Sequence, residues 1–447
     1  MIGCASGLGN AFRFPALCAQ YGLAFVVAYA VMLAAVCLPL LCAELYFGRA
    51  IHGSKGRRVW NVILRVASLN SAFIAAYYGV ICAKLGTACT SFALFADGER
   101  GGNALFAVML VLLLFAVFLL LRGGNRTLAR TGKITVISSL ASFALLAVLG
   151  LVRGNCLPQA DFSRLAGGAV WADALGQALL ALSLASGVMP AFSRTHGVRV
   201  VPASLAIVGC NLLGCVLSAL ATAPYIPFIA ETVGVSCGLK LYNSAIFTLF
   251  SGKITRSVAG VAVFAVLTLV AIHSLCSLAY PLVAKLTEKF SRAAQNYRDG
   301  KKAIGNVFTV KWLAPALFCL ISGGLAPLFA CRDMQVLTAC DQMACSVTAV
   351  TVAFAESVYF ALSCRPILRS LRHIRGVIAF FTQFFCPSVT GALALFSLCS
   401  ARFTPFLPLA TATAYMSVTA IALTALLPQL TFFAKRITIS MRQKARR

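Results

Sequence analysis

Gly3-Cys-Ala-Ser-Gly7-Leu-Gly9-Asn10-Ala-Phe-Arg13-Phe-Pro15 opens a chain that is otherwise mostly apolar. Glycines at 3, 7 and 9, then an asparagine, an arginine and a proline, make a poor continuous helix. What this stretch means depends on what surrounds it. In water it would be a turn. At membrane depth, irregular backbone is tolerated only where it lines a cavity or is buried in protein.

The surroundings settle that choice. Hydrophobic residues make up 60% of the chain, and mean hydropathy is +0.91. Soluble domains are less apolar and carry more charge than the 11% found here. Apolar runs of about 18 residues or more recur along the sequence, long enough to cross a bilayer as helices. Spans are expected near 1–19, 23–48, 66–93, 104–121, 132–152, 171–192, 199–224, 256–288, 311–330, 342–363, 376–398 and 406–434. The outer connection from Pro224 to Lys253 is long enough to form short helices of its own.

The formal net charge of +27 follows from topology. Basic residues cluster at Arg49 to Arg65, Arg122 to Lys133, Arg194 to Arg199, Lys285 to Lys311, Arg365 to Arg375 and Lys435 to Arg447. The alternate connections carry only scattered bases, which is the positive-inside pattern. No run interleaves basic and aromatic residues as a nucleic-acid surface does. Both termini are then expected in the cytoplasm, and residues 1–447 are expected to form one transmembrane domain: helices 1–5 over about 1–152, helices 6–10 over about 171–363, and helices 11–12 over about 376–434. The cysteines lie mostly in apolar runs as small hydrophobes, without zinc-site spacing. A Cys331–Cys340 disulfide in one outer loop is weakly suggested. The first span has no basic flank before it. Arg13 sits where the core of a signal peptide would be. The expectation is a chain that begins partway through a helix, with the N-terminal half of helix 1 missing.

A second weak span reads Gly176-Gln-Ala-Leu-Leu-Ala-Leu-Ser-Leu-Ala-Ser-Gly187. The two weak spans are the first and the sixth. Interrupted helices at matching positions of two halves are the sequence pointer to a transporter binding site. Freed N–H groups at a half-helix start hold a carboxylate, and freed carbonyls hold a cation. Small residues also serve close helix packing alone. Asn10 and Arg13 favour the site.

At this point the sequence resembles the neurotransmitter:sodium symporter family. Gly7-Leu-Gly-Asn-Ala-Phe-Arg-Phe-Pro15 carries the resemblance, with Ala24-Phe25, Pro39-Leu-Leu-Cys-Ala-Glu44-Leu-Tyr-Phe-Gly48-Arg49, Ala76-Tyr77-Tyr78, Gly176-Gln177, Leu182-Ser183-Leu184, Gly187, Tyr280-Pro281 closing the eighth helix, Asp341 and Glu356. It implies an all-α membrane protein of about 12 transmembrane helices, a LeuT-like 5+5 inverted repeat with broken helices 1 and 6. It implies sodium-coupled symport of a small, neutral amino acid by alternating access, and no enzyme chemistry. Arg13 and Asp341 would form an outer gate, with Gln177 near that arginine. Ala5, Leu8, Gly9, Ile74, Tyr78, Leu180, Ser183, Ser186, Ser274 and Leu278 would line the substrate site. A glycine at position 7, where amine-transporting members carry an aspartate, favours an amino acid over a monoamine.

Sodium would be held by Gly3, Ala5, Ser6, Asn10, Val270, His273 and Ser274, in one or two sites. These are less intact. His273 replaces a hydroxyl residue, Ala181 another, and Cys4 an asparagine. Tyr29 and Gln177 suit a chloride site and Ala181 weakens it, so chloride is left open. Lys84 stands mid-span where an apolar residue is usual. Glu44 and Glu356 are acids within helices. Two alternatives remain beside the symporter: a relative with proton coupling or lost coupling, motivated by His273, and a non-transporting membrane receptor or scaffold. The expected setting is the bacterial inner membrane, and the oligomeric state is open.

Overall fold

The computed structural model describes residues 3, 7–50, 56–152, 161–194, 199–222, 235–298, 307–330, 335–363 and 381–400. Every long element among them is helical. The first span is broken. Gly7 is extended, α1 covers Leu8–Ala11, Phe12 interrupts, and α2 covers Arg13–Tyr21. The second span is α3 (Leu23–Met32), a π turn (Leu33–Cys37) and α4 (Leu38–Ala50). Then come α5 (Gly56–Phe95) and α6 (Asn103–Val152).

A short 3-10 turn at Phe162–Ala166 leads to the sixth span. This span is also broken: α7 (Gly168–Ala181) and α8 (Val188–Ser193) flank turns at 182–187. There follow α9 (Val200–Thr222), α10 (Val235–Leu249), α11 (Lys253–Arg298) and α12 (Val307–Ala330). The tenth span is α13 (Gln335–Gln342), a π turn (Met343–Thr348) and α14 (Ala349–Ser363). The eleventh is a π turn (Phe381–Phe385) and α15 (Cys386–Ser400). Expected spans one to eleven therefore each coincide with helix. The twelfth, 406–434, lies outside the described residues. Met1–Ala401 form one compact unit.

Seven of these helices are long and apolar enough to cross a membrane. Their burial sorts the bundle. The most apolar stretch of α5 is 89% buried, whereas that of α6 is 11% buried. So α5 is a central helix, packed along α11. The outer face of α6 presents Val111, Phe115, Ile134, Ile137 and Leu145 outward, which is stable only against lipid.

The structure corrects three expectations. The basic connection at 122–133 is helical on both sides of Gly124, where the backbone leaves helical geometry, so spans four and five are two helices that meet there. The Gly124 φ of +66° is a conformation that glycine adopts without steric cost. Tyr280-Pro281 does not close the eighth helix, since α11 runs through Pro281 to Arg298. Membrane helices tolerate an internal proline because their neighbours satisfy the freed backbone groups. Cys340 is a free, buried thiol, and Cys331 lies outside the described residues. The long outer connection does hold a helix, α10, as expected.

Candidate functional site

The two breaks meet. Gln177, near the end of α7, donates its Nε2 to the carbonyl of Gly9 in α1 at 3.0 Å. A Cβ at Gly9 would lie 3.4 Å from Leu180 Cδ2, in ordinary van der Waals contact, so the half-helices pack closely here. The break after α7 is forced by its backbone. Ser183 (φ +53°), Ala185 (φ +52°) and Gly187 (φ +72°) all take the left-handed conformation, which costs energy at the first two. Two contacts hold it. Ala185 N donates to Glu44 Oε1 at 2.8 Å, and the Ser186 hydroxyl donates to the Ser183 carbonyl.

Above the breaks, Arg13 at the start of α2 reaches the tenth span. Its Nη1 lies 3.6 Å from Asp341 Oδ2, with the side chains 12% and 7% exposed. Its Nη2 donates to Ser346 Oγ at 3.0 Å. The Tyr77 hydroxyl donates to Asp341 Oδ1 at 2.9 Å. Asp341 and Ser346 are five residues apart across the π turn, whose wider turn brings them to one guanidinium. An intramembrane charge is stable only when paired or wet, and here each sign neutralises the other. Tyr78 lies beside this pair, close enough for its hydroxyl to feel both Asp341 and Arg13. The structure thus brings Arg13 to Asp341, and Gln177 to Gly9.

Below, Asn10 is buried and multiply bonded. Its Oδ1 accepts from Asn211 Nδ2 at 3.4 Å, and its carbonyl accepts from Ser218 Oγ at 2.6 Å. Asn211 Oδ1 accepts from the Tyr29 hydroxyl at 2.5 Å. Asn211 and Ser218 were not among the expected site residues. A signal was present: Ser204, Asn211 and Ser218 recur every seven residues on one buried face of α9.

The second expected ion position is built differently. His273 Nδ1 lies 3.3 Å from Thr131 Oγ1, and Nε2 lies 3.5 Å from Ser277 Oγ. The ring packs against two glycines. A Cβ on Gly3 would come within 3.0 Å of Nε2 and 2.7 Å of Gly132 Cα. Spans one, five and eight therefore close around an imidazole. Val270 and Ser274 are buried beside it on α11. Ser6, Ala5 and Cys4 lie outside the described residues. Leu8, Ile74, Ser183, Ser186 and Leu278 are all buried, Leu180 is half-buried, and the Leu278 carbonyl accepts from Ser71 Oγ at 2.7 Å. Lys84, without an expected partner, stands over the Phe106 ring at 5.6 Å.

Two broken helices, a charge pair and a buried amide cluster thus come together in one bundle. Residues 1–93 match the model of the sodium:neurotransmitter symporter family, a family of transporters and not of enzymes. Over 89 residues the chain is 43% identical to the mouse sodium- and chloride-dependent transporter XTRP3A, across 18% of this chain and 15% of that one. It is 40% identical over 91 residues to the mouse sodium- and chloride-dependent neutral and basic amino acid transporter B(0+), across 19% and 14%. The alignments span about a seventh of the relatives' length. The fold matches the crystal structure of MhsT in complex with L-phenylalanine, with a TM-score of 0.74 and 18% identity. That match covers 89% of this chain and 96% of MhsT.

Proposed function

We propose that the chain is a sodium-coupled symporter of a small, neutral amino acid, working by alternating access in the bacterial inner membrane with both termini cytoplasmic, and that residues 1–447 form its single transmembrane domain. The observation that carries this reading is the Arg13–Asp341 pair, 3.6 Å apart, closing directly above two helix breaks that touch through Gln177 and Gly9. A closed charge pair over broken backbone is an outer gate over a binding site. Two buried polar atoms support a polar occupant there: Arg13 Nη1 and Gln177 Oε1 have no hydrogen-bond partner among the described residues. A carboxylate would satisfy the guanidinium, with Tyr78 and the Gly9 region beside it.

In this reading the substrate site is lined by Ala5, Leu8, Gly9, Ile74, Tyr78, Leu180, Ser183, Ser186, Ser274 and Leu278. One sodium, a co-substrate, is held by Ala5 and Asn10, to which we add Asn211. Oxygen donors suit a hard cation. The amide oxygens of Asn10 and Asn211 supply them, and Ala181 offers only backbone. The second position would use Gly3, Ser6, Val270, His273 and Ser274. There the imidazole stands where an oxygen ligand is expected, which favours a second reading in which the coupling ion has changed. The mouse relative B(0+) is described as sodium- and chloride-dependent and as a transporter of neutral and basic amino acids, and MhsT was crystallised with L-phenylalanine. Both agree with an amino acid as cargo.

The test is binding of radiolabelled neutral amino acids to purified protein in sodium against potassium buffer. Saturable binding that requires sodium is the expected result. Binding unaffected by replacing sodium would give the His273 reading the lead.

A further inference from the structure

The basic end of the bundle holds a cavity outside the substrate and sodium positions. Gly48 at the end of α4, Trp60, Asn61 and Leu64 on α5, Arg194 after α8 and Lys285 on α11 line it. Its volume is about 30 Å³, room for one or two waters or one oxygen of a larger anion. Lys285 is half-buried in its wall. The ammonium donates to Ser68 Oγ at 2.9 Å and to the Leu64 carbonyl at 3.2 Å, both neutral acceptors.

Among the described residues the charges acting on it supply no counter-charge. The charges acting on Lys285 from α5, α8 and its own helix are Arg65, Arg194 and Lys289, all positive. Glu288 is exposed one turn along α11 and is not among them. The sequence explains the imbalance: the basic connections carry Glu288 and Asp299 as their only acids. A half-buried ammonium among like charges is costly unless something negative joins it.

We propose that this cavity is an anion site, which seats an oxygen of a phosphate-class oxyanion between Lys285 and Arg194. Inorganic phosphate and the phosphate of an anionic lipid at that face share this chemistry. The site stands apart from the transport reading, since its test needs neither substrate nor gradient.

The experiment follows thermal unfolding of the purified full chain in two arms. In neutral detergent, inorganic phosphate is titrated at ionic strength held constant with chloride. In nanodiscs without free phosphate, phosphatidylcholine alone is compared with added phosphatidylglycerol. The expected result is a saturable rise in melting temperature in at least one arm, as mass action requires of a ligand that binds the folded state. K285Q and R194Q should each weaken the apparent affinity about tenfold or more, the scale of a lost charge-assisted bond. A rise with phosphate assigns the soluble ion, and a rise with phosphatidylglycerol alone assigns the headgroup. No rise in either arm, or the same rise in both variants, would overturn the proposal. Arg194 is exposed, so R194Q decides the matter if K285Q does not fold.

Discussion

Asn211 ties the amide of Asn10 to the hydroxyl of Tyr29 and is fully buried. In the proposed site it is a sodium ligand, so N211A should weaken the apparent sodium affinity of substrate binding about tenfold, measured by sodium titration. Its burial was signalled by the seven-residue polar stripe of α9, but the motif that carried the family resemblance does not include it. Asp341 is the residue on which the gate depends. D341N keeps an acceptor for Tyr77 and removes the charge that neutralises Arg13. Breaking a buried pair leaves an uncompensated charge, at a cost of about 3 kcal/mol. D341N should therefore lower the melting temperature and cut uptake at least tenfold, while D341E retains part of both. His273 makes a sharper prediction. H273T removes an imidazole wedged against Gly3 and Gly132 and restores a hydroxyl. Uptake by H273T should depend more steeply on sodium than uptake by the natural chain. An unchanged sodium titration would remove His273 from the coupling.

At the scale of elements, the sixth span is the least regular and the most constrained. The turn at 182–187 puts non-glycine residues in the left-handed conformation, and Glu44 compensates by accepting from Ala185 N. E44A should cost about 1–3 kcal/mol in unfolding free energy, because it strands that buried N–H. Close helix approach is the second constraint. At Gly48 a Cβ would fall 2.7 Å from the Pro190 carbonyl oxygen, whereas at Gly209 it would meet nothing within 4 Å. G48A should destabilise by about 1–3 kcal/mol through the forced separation of α4 and α8. G209A should be neutral or stabilise by about 0.5–1 kcal/mol. The reverse order of melting temperatures would contradict the packing described. These elements were unequally legible. The breaks could be read because glycine, asparagine and serine at membrane depth are poor helix formers. The π turns at Leu33–Cys37 and Met343–Thr348 could not, since nothing in their composition distinguishes them from ordinary apolar helix. The helical form of the connection around Gly124 was hidden for a different reason. Arg122, Arg126, Arg130 and Lys133 mark a polar connection, and charge does not tell a helix from a loop.

For the molecule as a whole, hydropathy and charge asymmetry located spans one to eleven, because lipid fixes the length of an apolar helix and the bilayer sorts its basic flanks. Which helix is central is not a composition property. The interior helix α5 carries Ser68, Asn70, Ser71, Thr87 and Ser91 buried, while the more apolar α6 lies outside. In a membrane the polar residues mark the inside, so the usual rule of soluble cores runs backwards. That same inversion gathers Asn10, Gln177, Asn211 and the Arg13–Asp341 pair into one polar seam between otherwise apolar walls. The central claim is that this seam carries an amino acid with sodium. It is tested most directly by uptake of neutral amino acids into proteoliposomes under an inward sodium gradient, an inward proton gradient or none. The account predicts accumulation under the sodium gradient, lost when sodium is equal on both sides. Accumulation driven by protons alone, or none from folded protein, would contradict it.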